Sequence, residues 1–329
     1  MNLRTYICSV LAVALASAAA AQTQPVAEPS TSAQLQADLP RTPQGHPDLQ
    51  GVVWNTNFLL PLEATPMLPD LVISEERAVE FINMVVPIYL AMPDVAIDPE
   101  SEIIIGATEG LAIVRGERRT RAVVLPEDGR IPYTREARER VSNAMKAILG
   151  TSADNPEERP TGERCLSLGA LAPTAGTQTL NPRRFIQTTD HIVIQYEYGN
   201  EARIIPLADA HDRRLVDPHY GNAIARWDGD TLEIETTGLP VEDTLRPFPA
   251  LIVRPEATVI ERFTRLSARE LLYQFTVIDP EIYTAEWLAE YSLYAADFPM
   301  FPSACHEGNY SLENIMKAAR IDEVRSGLE

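Results

Sequence analysis

Apolar residues recur at helical spacing in three stretches of the chain, and each stretch predicts a helix. The first begins after Ser74, whose hydroxyl can cap the first turn, and ends near Val86. The second extends from Thr134 to Leu149, and the third from Ser311 to Arg325. The residues expected to face the core are Ala78, Phe81, Ile82 and Val85 in the first helix, Ala137, Val141, Ala144, Met145 and Ile148 in the second, and Leu312, Ile315, Met316 and Ala319 in the third.

From Arg184 onward the apolar residues alternate with polar ones, which is typical of half-buried strands. Asp228-Gly229 is a strong two-residue hairpin signal, and Ser267-Ala268-Arg269 also fits a hairpin. The predicted strands are Phe185–Thr188, Ile192–Tyr198, Ala202–Leu207, Ala223–Trp227, Leu232–Thr237, Thr258–Leu266, Leu271–Ile278 and Glu286–Tyr294, with shorter ones at 103–105, Leu111–Val114 and Ala122–Leu125.

Eight successive strands with short links predict a mainly β fold. We expect an antiparallel meander that forms a barrel-like or strongly curled sheet, with helical N-terminal segments and a C-terminal helix. The expected organisation is a single β-rich domain at 40–329, made of a helical or irregular part (40–163), the β meander (184–295) and the last helix (311–325).

The N-terminus has the pattern of a secretory signal peptide at 1–21. A basic start precedes an apolar run at Tyr6–Ala16, and alanines 19 to 21 fit a cleavage site. Residues 22–39 are polar and contain proline, so we expect a flexible leader. The apolar run is too short to span a bilayer, and no later stretch approaches the roughly 20 residues required. These features predict a periplasmic or secreted protein without a membrane span.

The charge balance narrows the class of partner. The chain has 28 Lys and Arg against 47 Asp and Glu. Removal of residues 1–21 takes away one arginine and no acid, so 27 minus 47 gives a mature net charge of −20. Such a charge opposes binding to nucleic acid and favours solubility. A small-molecule ligand is the expected partner; the sequence leaves the oligomeric state open.

The usual cofactor and hydrolase motifs are not found in the sequence. It contains no G-x-S-x-G elbow, no H-E-x-x-H, no G-x-G-x-x-G and no P-loop. The five histidines are scattered and are not paired at helical or strand spacing. We therefore expect no cofactor and no metal site.

Cys165 and Cys305 are the two cysteines that remain after signal cleavage, and they lie 140 positions apart. Disulfides persist in an exported protein, so a bridge between them is the preferred interpretation. A reactive thiol or a metal ligand is the alternative.

The stretch Ala304-Cys305-His306-Glu307-Gly308-Asn309-Tyr310-Ser311 crowds several chemically active groups before the last helix. If the chain turns at Gly308, His306 can act as a general base oriented by Glu307, with Tyr310 contacting substrate. The structural alternative is a bridged Cys305, with Asn309 or Ser311 capping the helix.

A second group of polar residues lies on the predicted strands. Tyr196 and Tyr198 would share one face, and ionisable groups inside a barrel would need Glu–Arg pairs. Tyr198 and Arg203 are candidates for stabilising negative charge, whereas Glu233 and Glu235 better fit a solvated outer face. The substrate-binding candidates are Tyr196, Arg226 and, in the loop 209–221, His219, although solvated loop residues are the alternative there.

Several segments together resemble the landmarks of a large family of exported, mostly uncharacterised bacterial proteins. They are PRTPQGHPDLQGVVW, LPEDGRIPYTREAR, NPEERPTGERCLSLG, YEYGNEARIIPL, ARWDGDTLEIETTG, VIERFTR and CHEGNYSLENIMKAAR, which extend from Pro40 to Arg320. The resemblance implies export, one domain and a β-rich architecture, and it supplies no catalytic assignment. Residues 181–184 and the loop 209–220 depart from the family pattern.

Two functions from different classes remain. The first is a cofactor-independent enzyme that performs acid–base chemistry, as a lyase, isomerase, hydratase or hydrolase, on a small, partly apolar molecule in a barrel-like pocket. The second is a periplasmic binding or carrier protein without turnover. An envelope-associated structural protein is a third possibility. An interior lined by ionisable groups would favour the enzyme, and an apolar or aromatic interior the carrier.

Overall fold

The computed structural model describes residues 39–56, 60–90, 110–149, 155–159, 164–166, 170–174, 181–214, 216–240, 245–247 and 250–327. The predicted signal peptide, nearly all of the predicted leader and the predicted strand at 103–105 lie outside the described residues.

The described chain is mainly β, as the alternating pattern predicts. Its strands are β1 (Val53–Asn55), β2 (Ile113–Val114), β3 (Glu117–Arg118), β4 (Val123–Leu125), β5 (Arg183–Gln187), β6 (His191–Tyr196), β7 (Ala202–Pro206), β8 (Asn222–Asp228), β9 (Thr231–Thr237), β10 (Leu245–Pro247), β11 (Ala250–Ile252), β12 (Thr258–Arg265), β13 (Glu270–Ile278) and β14 (Leu288–Ala296). Its α-helices are α1 (Glu75–Leu90), α2 (Arg135–Leu149), α3 (Cys305–Gly308) and α4 (Tyr310–Ser326).

The three predicted helices form, and each begins at a polar cap. The Ser74 hydroxyl accepts from the Arg77 amide at 3.3 Å, and the Thr134 hydroxyl accepts from the Ala137 amide at 3.2 Å. Asn309 caps α4 in the same way, and Ala319 is the buried residue on that helix. The other residues predicted to face the core from α4 are half-buried: Leu312, Ile315 and Met316.

One antiparallel sheet organises the described strands, in the order β7-β6-β5-β1-β14-β13-β12-β9-β8, with β4 also pairing with β14. The prediction of a continuous meander is wrong at three points, the first being that the consecutive strands β7 and β8 stand at opposite ends of the sheet order. Strand β1, from the N-terminal half, lies between β5 and β14, and the hairpin β10–β11 stands between β9 and β12 in sequence without joining the sheet. Pairing of β1 depends on partners far away in sequence, which the local alternation of residues does not encode.

The two end strands of the sheet order meet. Leu207, just after β7, forms a parallel bridge with Ala225 of β8. The Ala208 amide donates to the Ala225 carbonyl at 3.1 Å. Strands β7 and β8 are consecutive in the chain and do not pair as a hairpin, but this bridge places them side by side.

Alternation along the strands gives the sheet an apolar inner face rich in aromatic rings. On β12, for example, Val259, Glu261, Phe263 and Arg265 are buried in turn. Phe263 contacts Phe185 at 5.1 Å and Tyr273 at 4.8 Å between ring centroids, which are favourable aromatic separations. Burying one such side chain contributes about 1.5–3 kcal/mol. A smaller core under α1 contains Leu68, Ala78, Phe81, Val85 and Leu111.

No helix among the described residues combines the length and the apolar character needed to cross a membrane.

Candidate functional site

A group of polar side chains is buried within the aromatic inner face, and we name it the inner polar cluster. Strand register explains how it assembles: Arg183 of β5 lies opposite Tyr196 of β6, and Ile194 lies opposite Arg203 of β7, so side chains of three adjacent strands point to one face. Side chains of β9, β12, β13 and β14 contact them from the other half of the sheet order. The inner polar cluster consists of Thr174, Arg183, Tyr196, Arg203, Thr236, Glu261, Tyr273 and Tyr291.

The centre of the inner polar cluster is an ion pair between Arg203 and Glu261. An Arg203 terminal nitrogen donates to the Glu261 carboxylate at 2.7 Å, and both side chains are essentially inaccessible, at 1% and 0% exposure. The other terminal nitrogen donates to the Thr236 hydroxyl at 3.0 Å, and the Tyr273 hydroxyl donates to Glu261 at 2.7 Å. Burial of both charges is costly, and these additional hydrogen bonds offset part of that cost.

The Arg203–Glu261 ion pair also joins strands that are far apart in the sheet order. Arg203 is on β7 at one end of the sheet order, whereas Glu261 is on β12 and Thr236 on β9, near the other end.

The protonation states within the inner polar cluster follow from burial and the ion pair. Burial alone would lower the pKa of Arg203, but the Glu261 carboxylate outweighs it and the pKa is raised. Burial raises the pKa of Tyr196, and burial together with the Glu261 charge raises the pKa of Tyr273. The tyrosines therefore stay protonated near neutral pH and can serve as hydrogen-bond donors.

Two polar atoms of the inner polar cluster are buried without a well-formed hydrogen bond. They are the Tyr196 hydroxyl and the Arg203 Nε. A weak hydrogen bond between the two side chains contributes to the pKa of both, but its geometry falls outside the ordinary range. Buried donors of this kind are rare in folded proteins, because each costs about 1–3 kcal/mol.

The segment at 170–174 closes one side of the inner polar cluster. The Thr174 amide donates to the Tyr273 hydroxyl at 2.9 Å, and the Tyr291 hydroxyl donates to the Thr174 carbonyl. Arg183, fully buried, donates to the Thr174 hydroxyl at 2.9 Å and stacks over the Tyr196 ring at 5.2 Å.

The outer face of the same strands carries a separate ionic ladder. Arg226 contacts Glu233 at 2.6 Å and Glu235 at 3.1 Å, and Arg262 contacts Glu233 at 2.6 Å. His211 extends the ladder, since its Nε2 lies 3.1 Å from Glu235. Strand register pairs Glu233 with Arg226 and with Arg262, whereas the next residue, Ile234, pairs with Glu261. Neighbouring residues of a strand point to opposite faces, so the predicted substrate-binding residue Arg226 is not part of the inner polar cluster.

The C-terminal stretch forms an anchor, with Cys165 and Cys305 joined by a disulfide. His306 and Glu307 lie on α3, and both are exposed. No hydrogen bond or ion pair of the His306 ring with another described residue is found, and Tyr310 is 71% exposed. The described contacts therefore do not bring these three residues into the inner polar cluster.

The prediction that Tyr198 continues strand β6 is wrong. β6 ends at Tyr196, and Tyr198–Asn200 form a 3-10 turn in which Gly199 has φ 71° and Asn200 has φ 54°. Glycine and asparagine are the residues that most readily adopt this left-handed conformation. Tyr198 is half-buried in that turn and does not share a strand face with Tyr196.

The same turn binds the chain that leads to α3. The Asn200 side chain donates to the Ser303 carbonyl at 2.8 Å and accepts from the Ser303 amide at 3.1 Å. The Glu197 carboxylate accepts from the Phe301 amide at 2.6 Å. His219, by contrast, is exposed in the turn from Asp217 to Gly221.

The structure thus brings together two of the eight predicted catalytic or substrate-binding residues, Tyr196 and Arg203. Sequence reasoning missed Thr174, Arg183, Tyr273 and Tyr291 as partners. Alternation on β5, β13 and β14 places the last three on an inner face, and this signal could have identified them. Thr174 lies in irregular chain, where no periodicity exists.

Among the described residues, no group of three or more His, Cys, Asp or Glu side chains is placed to hold a metal ion. Comparison of the chain with family models, with curated proteins and with solved structures finds no match in any of the three.

Proposed function

We propose that this protein is an exported, cofactor-independent enzyme that performs acid–base chemistry on a small, partly apolar molecule inside a barrel-like sheet. The reaction class is elimination, isomerisation, hydration or hydrolysis. Tyr196 and Arg203 bind the oxygen on which negative charge develops, and the surrounding aromatic rings contact the apolar part.

One observation carries this proposal: two donors, the Tyr196 hydroxyl and the Arg203 Nε, are buried side by side without a well-formed bond. Fixed donors in a site shielded from water stabilise developing negative charge more strongly than donors in water do. Bridge formation between Leu207 and Ala225 supports the barrel-like arrangement that would enclose such a ligand. The disulfide is compatible with export.

A carrier without turnover is the second candidate, and the state of Glu261 favours it. Its carboxylate already accepts from Arg203 and Tyr273, so it is a poor general base. An enzyme would need a base from outside the inner polar cluster. We keep His306, oriented by Glu307, as the proposed base, which requires a substrate that extends from the cluster to this exposed helix.

The first test compares two single hydroxyl deletions on the inner face. Tyr196→Phe removes a buried hydroxyl without a well-formed bond, so stability should stay the same or rise while ligand binding falls at least tenfold. Tyr291→Phe is the matched control, because its hydroxyl bonds the Thr174 carbonyl; it should lose stability and keep binding. Thermal-shift screening against lipids, terpenoids, aromatics and glycosides supplies the ligand. Equal binding by wild type and Tyr196→Phe would contradict the proposed site.

Turnover separates the two candidates. Compounds that bind are incubated with the protein, and products are sought by mass spectrometry. For an enzyme, His306→Ala should abolish product formation and leave the melting temperature unchanged, because the ring is exposed. A carrier gives no product with any variant. Loss of folding in His306→Ala would show that the histidine is structural.

A further inference from the structure

We infer that Tyr220 forms the outer wall of the ligand site, and that the ligand reaches the inner polar cluster through the seam between β7 and β8 which this residue covers. The inference rests on the proposed function and adds an entry route and the residue that closes it. Its basis is the separation of the two strands, the bonded turn that presents Tyr220, and the proximity of Tyr220 to Arg203.

The seam lies where the two end strands of the sheet order separate. Leu207 and Ala225 form the parallel bridge, and within the described chain no ladder of paired residues extends that bridge along β7 and β8. Arg203 comes four residues before Leu207, and Gly221 comes four residues before Ala225. Four residues of strand span about 13 Å, so Arg203 and Gly221 lie at about the same distance from the bridge. The seam at this level adjoins the Arg203 side chain.

A bonded turn presents Tyr220 at this level. The amides of Asp217 and Gly221 each donate to the carbonyl of the other residue at 2.9 Å. The Asp217 carboxylate accepts from the amides of His219 and Tyr220, at 2.7 and 3.2 Å. The Tyr220 ring is half-buried and packs against the main core, whereas His219 is exposed. The turn therefore holds the Tyr220 ring against the sheet.

Tyr220 lies close to the Arg203 end of the inner polar cluster. Arg203 donates to Thr236 at 3.0 Å, and Thr236 is the register partner of Ala223. Ala223 comes three residues after Tyr220 in the chain. The pKa of Tyr220 is raised to about 12, mainly by burial, and the positive charge of Arg203 opposes this shift. Tyr196 also contributes to the pKa of Tyr220, so both residues of the proposed site lie within electrostatic range of its hydroxyl.

The chemistry of a tyrosine suits an entrance of this kind. Its ring covers an apolar interior, and its hydroxyl offers a hydrogen bond to a polar group that enters. No hydrogen bond of the Tyr220 hydroxyl with another described residue is found, so the ring can move aside without breaking one. A small side chain at this position would leave the Arg203 end of the inner polar cluster open.

The experiment measures how fast N-acetylimidazole acetylates the Tyr196 hydroxyl, by mass spectrometry of the digested protein. Tyr196 is 0% exposed, so acetylation of the wild type should be slow. Tyr220→Ala should accelerate it at least tenfold, because the reagent enters through the opened seam. Tyr220→Phe keeps the ring and should keep the slow rate. If Tyr220→Ala does not fold, Tyr220→Leu replaces it, since leucine retains an apolar contact with the core and is still smaller than the ring.

Tyr294→Ala is the matched control. Tyr294 is also a half-buried tyrosine that packs against the main core, but it lies on β14 and its hydroxyl donates to the Ile113 carbonyl. Loss of this ring should lower the melting temperature at least as much as Tyr220→Ala does, and it should leave Tyr196 protected.

Two results would overturn the inference. Equal acceleration in Tyr220→Ala and Tyr294→Ala would show a general loosening of the sheet, and an unchanged rate in Tyr220→Ala would place the entrance elsewhere. The proposed function is judged separately, by the loss of ligand binding in Tyr196→Phe. Ligand binding that depends on Tyr196, together with an unchanged acetylation rate in Tyr220→Ala, would leave the proposed function standing and reject the entrance.

Discussion

Glu261 is the residue on which the buried charges of the inner polar cluster most depend, because it is the carboxylate that faces Arg203. Glu261→Gln keeps an acceptor for Tyr273 but leaves buried Arg203 without the carboxylate that pairs with it. We expect this change to cost about 3–5 kcal/mol of unfolding free energy, measured by urea denaturation. Gln274→Ala, which removes a single hydrogen bond to Glu290, is the control and should cost about 1 kcal/mol. A similar cost for both variants would show that the Arg203–Glu261 charges are not desolvated.

The lowered pKa of Asp279 predicts how the free energy of unfolding depends on pH. Burial alone would raise its pKa, but the forked hydrogen bonds from Arg254, at 2.7 and 2.8 Å, outweigh burial and lower it. A carboxyl with a lowered folded-state pKa stabilises the protein above its unfolded pKa, and this stabilisation is lost as the pH falls through the folded pKa. The stability difference between wild type and Asp279→Asn should therefore be largest near neutral pH and shrink below about pH 4. A stability difference that is the same at pH 7 and pH 3 would contradict this prediction.

At the scale of elements, the start of β8 depends on a glycine. Gly221 has φ +77°, and a Cβ there would lie 2.6 Å from the Thr237 carbonyl oxygen. Gly229, in the next turn, has φ +58° and open space around it. Gly229→Ala should therefore cost about 1 kcal/mol for the backbone conformation alone, and Gly221→Ala should cost distinctly more because the backbone must also move. Equal denaturation midpoints for the two variants would contradict the predicted clash.

At the scale of the whole molecule, the disulfide closes a loop that contains strands β5 to β14. Its cysteines are 140 residues apart, and the chain-entropy estimate for such a loop is about 4–5 kcal/mol. The double change Cys165→Ser with Cys305→Ser should lower the urea midpoint and make α4 the first site of proteolysis. Ser303→Ala leaves the disulfide intact and is the control. An unchanged midpoint in the double variant would mean that the contacts at Asn200 and Glu197 hold the segment without the bridge.

The sequence by itself determined the elements and the polarity of their faces. Three helices follow from spacing and capping residues, and the strands follow from alternation, because both signals are local and physical. The disulfide followed from export and cysteine arithmetic. The expectation of a solvated face for Glu233 and Glu235 holds only in part, because Glu233 is buried between Arg226 and Arg262. The signal peptide, the single domain and the family resemblance stay predictions.

Only the tertiary structure decided which faces meet. The insertion of β1 beside β5, the contact of β7 with β8 and the approach of Arg203 to Glu261 are all long-range pairings that one-dimensional periodicity does not specify. Tyr198 lies in a turn and not on the strand of Tyr196, and exposed His306 was not brought to Arg203, although all four were predicted site residues. Packing of the whole inner face decides which buried polar groups are hydrogen-bonded across the sheet, and the local residue pattern does not encode it.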